Sequence, residues 1–129
     1  MSIIPSKLAA ASAMDGFKNY NSSSFSVSVP TQNLGAGDFV QYTASTSLSN
    51  TNSISQVQVQ YSGLDSNTYV LYGDTVSNWS SGSYQIETFY YFTSGTLYVY
   101  NVIVNQTAST ISLPAITINC RGFLFIAPF

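Results

Sequence analysis

Ile116-Thr-Ile-Asn-Cys-Arg-Gly-Phe-Leu-Phe-Ile-Ala-Pro-Phe129 alternates at first and then turns almost wholly apolar. Ile116, Ile118 and Cys120 fall on one face and Thr117, Asn119 and Arg121 on the other, the period-2 pattern of a half-buried strand. Gly122 interrupts that pattern, and a glycine inside a strand marks a bulge or a close backbone approach. Beyond it Phe123, Leu124, Phe125 and Ile126 offer apolar groups to both faces. Such a closing strand needs cover on two sides: a second sheet of its own domain, and on the other side a neighbouring subunit.

Upstream, the same alternation recurs. Phe25, Val27 and Val29 alternate with serines until Pro30 ends the run. After a turn at Leu34-Gly-Ala-Gly-Asp38, Phe39 to Leu48 reads as a strand that offers Phe39 and Tyr42 to the core. The cleanest alternation is Gln56-Val-Gln-Val-Gln-Tyr61, with Val57, Val59 and Tyr61 inward and three glutamines forming an amide ladder outside. Tyr69 to Tyr72 makes a short strand, and Gly73 to Ser83 reads as the longest loop, with Trp79 in it. Tyr84 to Phe92 and Leu97 to Val104 form the arms of a hairpin joined by Thr93-Ser-Gly-Thr96, both rich in aromatics. A brief strand at Thr110 to Leu113 leads through Pro114 into the closing stretch.

Strands separated by turn signals over one domain's length predict an all-β fold, an antiparallel β-sandwich, with an eight-stranded jelly roll preferred and a Greek-key sandwich of immunoglobulin type as the alternative. Residues 1–18 differ: Ser6 to Met14 is the one helix-forming run, with Ser6 as a candidate N-cap and Gly16 as a stop. They read as an N-terminal arm or short helix, and residues 19–129 as the sandwich domain.

At 129 residues, 45% of them hydrophobic and 15% aromatic, the chain can bury a real core. Charge is its unusual feature. Only 6% of residues are Asp, Glu, Lys or Arg, against about 25% in an ordinary domain. Ser, Thr, Asn and Gln, 51 of the 129 residues, supply the polarity instead. Three cations, Lys7, Lys18 and Arg121, cannot neutralise a run of phosphates, which argues against a nucleic-acid partner. A weakly charged, hydroxyl-rich surface is cheap to desolvate and suits broad contact with other protein.

No histidine and a single cysteine exclude Ser-His-Asp catalysis and a zinc site, and Cys120 reads as a small buried hydrophobe. Asp38, Asp65 and Asp74 fall in turns, where aspartate bonds the local backbone. The expectation is a protein that is no enzyme and takes no cofactor or metal. No stretch approaches 18 apolar residues, so no membrane-crossing helix is expected, and Leu8 to Met14 is too weak for a signal-peptide core. Asn21, Asn78 and Asn105 head Asn-X-Ser/Thr triplets of a kind that this composition produces by chance. Tyr69, Tyr72 and Trp79, in or beside loops, offer an aromatic platform for a glycan, or anchors for a loop or seam.

With almost no charge, a detached apolar arm, Ser/Thr/Asn-rich loops and the ending Gly122-Phe-Leu-Phe-Ile-Ala-Pro-Phe129, the chain resembles small virion proteins of tailed bacteriophages. The similarity is to capsid decoration (cement) proteins and to jelly-roll tips of head or tail fibres. The closing run also resembles the final strand of trimeric jelly rolls of the tumour-necrosis-factor and C1q type. These resemblances imply a virion protein on the capsid exterior, made in the host cytoplasm without a signal peptide. Its implied partners are the major capsid protein and two further copies of itself. Ile3, Ile4 and Leu8 would anchor the arm in neighbouring subunits, and Phe123, Phe125 and Phe129 would lie at the self-association seam. The alternative role is a receptor- or glycan-binding fibre or tail component.

Overall fold

The computed structural model describes residues 20–48, 54–73 and 75–125, with side chains over 22–48, 54–73 and 75–123. The arm with Ile3, Ile4 and Leu8, the loop at 49–53, Asp74 and Phe129 lie outside the described residues. Ten strands form: β1 (Tyr20–Val29), β2 (Gln32–Leu34), β3 (Phe39–Ser47), β4 (Ile54–Ser62), β5 (Tyr69–Leu71), β6 (Ser77–Ser80), β7 (Tyr84–Thr93), β8 (Thr96–Asn105), β9 (Ile111–Leu113) and β10 (Ile116–Phe125). There is no helix among the described residues.

The protein is an all-β antiparallel sandwich. One sheet runs β1-β10-β4-β5, the other β3-β8-β7-β6, and β2 pairs with β9 in a small third sheet. Three nested pairs, β1 with β10, β2 with β9 and β3 with β8, wind the chain up from its ends like a long folded hairpin, as a jelly roll is wound. Inside that winding the chain closes locally, by the β4–β5 pair in one sheet and the β6-β7-β8 meander in the other.

Among the described residues stand ten strands, two of them short segments that the sequence reading passed over. β2 and β6 are the additions, three and four residues long, too short to carry an alternation of their own. β6 runs through the expected long loop at Gly73 to Ser83. It is held by backbone pairing to β7, with Trp79 opposite Ile86. On β3 the inward phase belongs to Val40, Tyr42 and Ala44, and Phe39 is 64% exposed. The expectation that Phe39 points to the core is therefore corrected: Phe39 and Tyr42 differ in parity, and one strand cannot bury both.

The core is formed by the inward rows of both sheets. Val57, Val59 and Tyr61 of β4 and Ile116, Ile118 and Cys120 of β10 meet Ile86 of β7 and Leu97, Val99 and Ile103 of β8. Burial pushes the Cys120 thiol up to about 12, so it carries no thiolate at neutral pH and packs as a hydrophobe. Gly122 is the close approach that the sequence announced. A Cβ at that position would overlap Leu97 Cδ2, and the register of β10 on β4 shifts just beyond it, between Phe123 and Leu124.

Among the described residues three polar side chains are buried. Thr88 and Asn101 join the two sheets to each other through Tyr61. Asn105, 1% exposed, donates to the carbonyls of Leu34, Gly35 and Ser109, while its Oδ1 accepts from the backbone N–H and hydroxyl of Thr107. One side chain thus fixes the β2–β3 and β8–β9 turns together.

Candidate functional site

Alternation on a two-faced sheet leaves every second residue outside, and on β7 and β8 four of those residues, Phe89, Tyr91, Tyr98 and Tyr100, are aromatic and lie together toward the hairpin turn. The hairpin between them turns at Ser94 and Gly95, whose φ values of 51° and 79° are those of a two-residue type I′ turn. This turn sets the register: Phe92 faces Leu97 on the inner side, while Tyr91 faces Tyr98 and Phe89 faces Tyr100 on the outer side. Phe89 and Tyr100 stack at 5.3 Å, and Tyr98 and Tyr100 at 6.1 Å. The row continues through Val102 and Val104 to Phe39 on β3.

Tyr91 is 58% exposed and Phe89 37%. Thr43 and Ser45 of β3 flank the rings across the sheet. Glu87 is the one carboxylate on the outward rows of β3, β7 and β8, and Gln85 Nε2 donates to it at 2.7 Å. An aromatic, nearly uncharged strip along a sheet face is the composition found at the buried centres of protein interfaces. Sequence reading noticed these rings but not their common face. The signal was available in Leu97-Tyr-Val-Tyr100, where the aliphatic residues claim the core and leave both tyrosines outside.

Tyr69 and Trp79, two members of the expected platform, come together by a different route. Asp65 Oδ2 accepts from the Tyr69 hydroxyl at 2.6 Å and from Trp79 Nε1 at 2.9 Å. Asp65 Oδ1 accepts from the Asn67 backbone N–H, the local turn contact expected of it. The Tyr69 bond does most to hold the Asp65 carboxyl below its usual range, against the opposing effect of partial burial. Both rings are half-buried, Trp79 against Tyr84 at 5.5 Å and Tyr69 against Tyr61 at 5.4 Å. The trio clamps β5 of one sheet to β6 of the other. Tyr72, 58% exposed, is joined to neither ring by a hydrogen bond or ring contact.

Of the expected seam residues, Phe123 lies half-buried on the outer side of β10, with the Arg121 guanidinium 4.9 Å above its ring. Phe125 pairs through its backbone with Tyr20, and its side chain and Phe129 lie outside the described residues. Among the described residues no three His, Cys, Asp or Glu side chains come together as metal ligands. No protein-family model, no curated protein and no solved structure matches this chain.

Proposed function

We propose that this chain is a non-enzymatic structural protein of a virion, of the capsid-decoration type, and that it docks on the assembled shell through the outward face of β3, β8 and β7. The observation that carries the reading is the stacked row of half-buried Tyr98 and Tyr100 with exposed Phe89, and exposed Tyr91 beside it, on a sheet face almost free of charge. Rings held in place by stacking lose little freedom on docking, which leaves more of the desolvation gain as affinity. The occupant is a largely uncharged protein surface, since the strip offers no cation and a single carboxylate, Glu87, which already accepts from Gln85. A protein that binds assembled shells and not free subunits shifts the balance toward assembly by linkage.

The test is co-sedimentation with shells depleted of this protein. Wild-type chain should pellet with shells and stay in solution with free subunits, and the Phe89→Ser/Tyr91→Ser variant should lose at least about tenfold in affinity. Equal occupancy by the variant overturns the docking face. Failure of the wild type to pellet overturns the virion reading itself. Removal of residues 1–16 tests the arm in the same assay: a folded domain with normal occupancy would remove Ile3, Ile4 and Leu8 from the contact.

A further inference from the structure

The opposite face of the sandwich has a different chemistry. The outward row of β1 is Ser22, Ser24, Ser26 and Ser28, that of β10 is Thr117, Asn119, Arg121 and Phe123, and that of β4 is Gln56, Gln58, Gln60 and Ser62. Register sets Ser24 beside Arg121 and Arg121 beside Gln58, and in the next row Ser26 beside Asn119 and Asn119 beside Gln60. These six side chains line an open trough of about 420 Å³. That volume is within the roughly 300–1,000 Å³ of small-ligand sites.

Most of this polar lining is uncommitted. Among the described residues Ser24, Ser26 and Gln58 have no side-chain hydrogen-bond partner, although Gln58 is half-buried. Asn119 donates to Ser62 Oγ at 2.8 Å and keeps its amide oxygen, and Gln60 reaches the Ser66 carbonyl only at 3.4 Å. Arg121 makes one contact to a hydroxyl, Nη2 to Ser22 Oγ at 3.3 Å, and stacks on Phe123. No carboxylate pairs with it among the described residues. Stacking holds the guanidinium plane in place and leaves its other N–H groups to donate.

We propose that this trough is a binding site for an acidic sugar, the carboxylate on Arg121 and the ring hydroxyls on Ser24, Ser26 and Gln58. One fixed guanidinium matches one carboxylate, in the two-pronged geometry that arginine offers. Hydroxyls and primary amides both donate and accept, as sugar hydroxyls do, so each contact can be made in either sense. A polyphosphate would find a single cation, and an apolar ligand would strand the free amide and hydroxyls. Being open, the site binds weakly, in the millimolar range typical of one carboxylate and a few hydroxyls. The inference is independent of the aromatic docking face, which lies on the other sheet.

The experiment is a titration of the isotope-labelled full chain, followed by amide and guanidinium NMR shifts, with N-acetylneuraminic acid, with glucuronic acid, and with glucose and acetate as controls. Shifts confined to Ser24, Ser26, Gln58, Gln60, Asn119 and Arg121 are expected with at least one of the acids, and the tighter one identifies the sugar class. Arg121→Gln should weaken that acid at least tenfold, and Gln58→Ala by a few-fold, with the rest of the spectrum unchanged. The inference is overturned if neither acid shifts these residues, if acetate alone reproduces the shifts, or if glucose binds as tightly and Arg121→Gln changes nothing.

Discussion

The hydroxyl of Tyr61 on β4 lies 2.6 Å from the hydroxyl of Thr88 on β7, across the middle of the sandwich. Thr88 has one proton and gives it to Asn101 Oδ1 at 2.8 Å, so Tyr61 is the donor. Asn101 passes the chain on through its amide to the Tyr42 and Val99 carbonyls. The direction of the relay ranks the variants. Tyr61→Phe removes a donor and leaves Thr88 still bonded to Asn101, a loss of about 0.5–1.5 kcal/mol. Thr88→Val strands Asn101 Oδ1 in the core and leaves the Tyr61 hydroxyl only its Ser77 partner, a loss of about 1–3 kcal/mol. Urea unfolding should give that order, and the double variant should lose less than the two single losses added together.

Asp65 predicts the acid limb of stability. Its folded pKa lies below the ordinary value of 3.8, chiefly because the Tyr69 hydroxyl donates to the carboxylate. The unfolded chain therefore takes up the proton first, so this contribution is full above pH 3.8 and is lost as pH falls through the lower folded value. Trp79 is the chain's one tryptophan and donates to the same oxygen, so its fluorescence reports on the clamp directly. Asp65→Asn should lower stability at pH 7 and flatten the loss that sets in as pH falls below 3.8. An unchanged acid limb in that variant would remove Asp65 from the account.

What could be read in advance follows from how much each segment says about its own burial. Gln56 to Tyr61 and Ile116 to Cys120 declare their phase because apolar and polar groups alternate without exception, and both are central strands. Phe39-Val-Gln-Tyr42 carries apolar groups on both parities, so its phase is decided by the neighbouring β8 and not by itself. β6 was hidden because Ser77-Asn-Trp-Ser80 is held by hydrogen bonds to β7, which leave no trace in hydropathy. The same limit applies to the candidate sites. Phe89-Tyr-Tyr-Phe92 says that both faces of β7 are aromatic, but the continuous row needs the register with β8. The trough needs three strands that lie far apart in the chain, and the Asp65 clamp needs a crossing between sheets.

Asn105 heads an Asn-Gln-Thr triplet, and its burial decides what that triplet is for. Its amide group is spent on three carbonyls and its oxygen on Thr107, so no sugar transferase can reach it in the folded chain. Expressed in a glycosylating cell, folded protein should carry nothing at Asn105 by mass spectrometry. Asn105→Ala takes the amide donor from the Leu34 carbonyl and leaves the Gly35 carbonyl to the Asp38 N–H and the Ser109 carbonyl to the Thr107 hydroxyl, and should cost about 1–3 kcal/mol. Asn105→Asp should cost more at pH 7, because it turns an oxygen toward those carbonyls and buries a charge. Thermal unfolding of the two variants checks the order.

Gly122 and Leu97 fit closely across the two sheets: the absence of a Cβ on β10 is the space that the Leu97 side chain of β8 fills. The backbone at Gly122 is not among those with positive φ, so conformational freedom is not the reason for a glycine there. Gly122→Ala should therefore act by overpacking, at about 1–3 kcal/mol. Leu97→Ala empties a fully buried site and should cost about 2–5 kcal/mol. Combined, the new methyl enters the space that the leucine vacates, and the double variant should be more stable than the sum of the separate losses predicts. A double-mutant cycle by urea unfolding measures that coupling, expected at about 1 kcal/mol or more in the stabilising direction. Strict additivity would mean that Leu97 does not set the requirement for glycine, and that the overlap is relieved by movement of β10 instead.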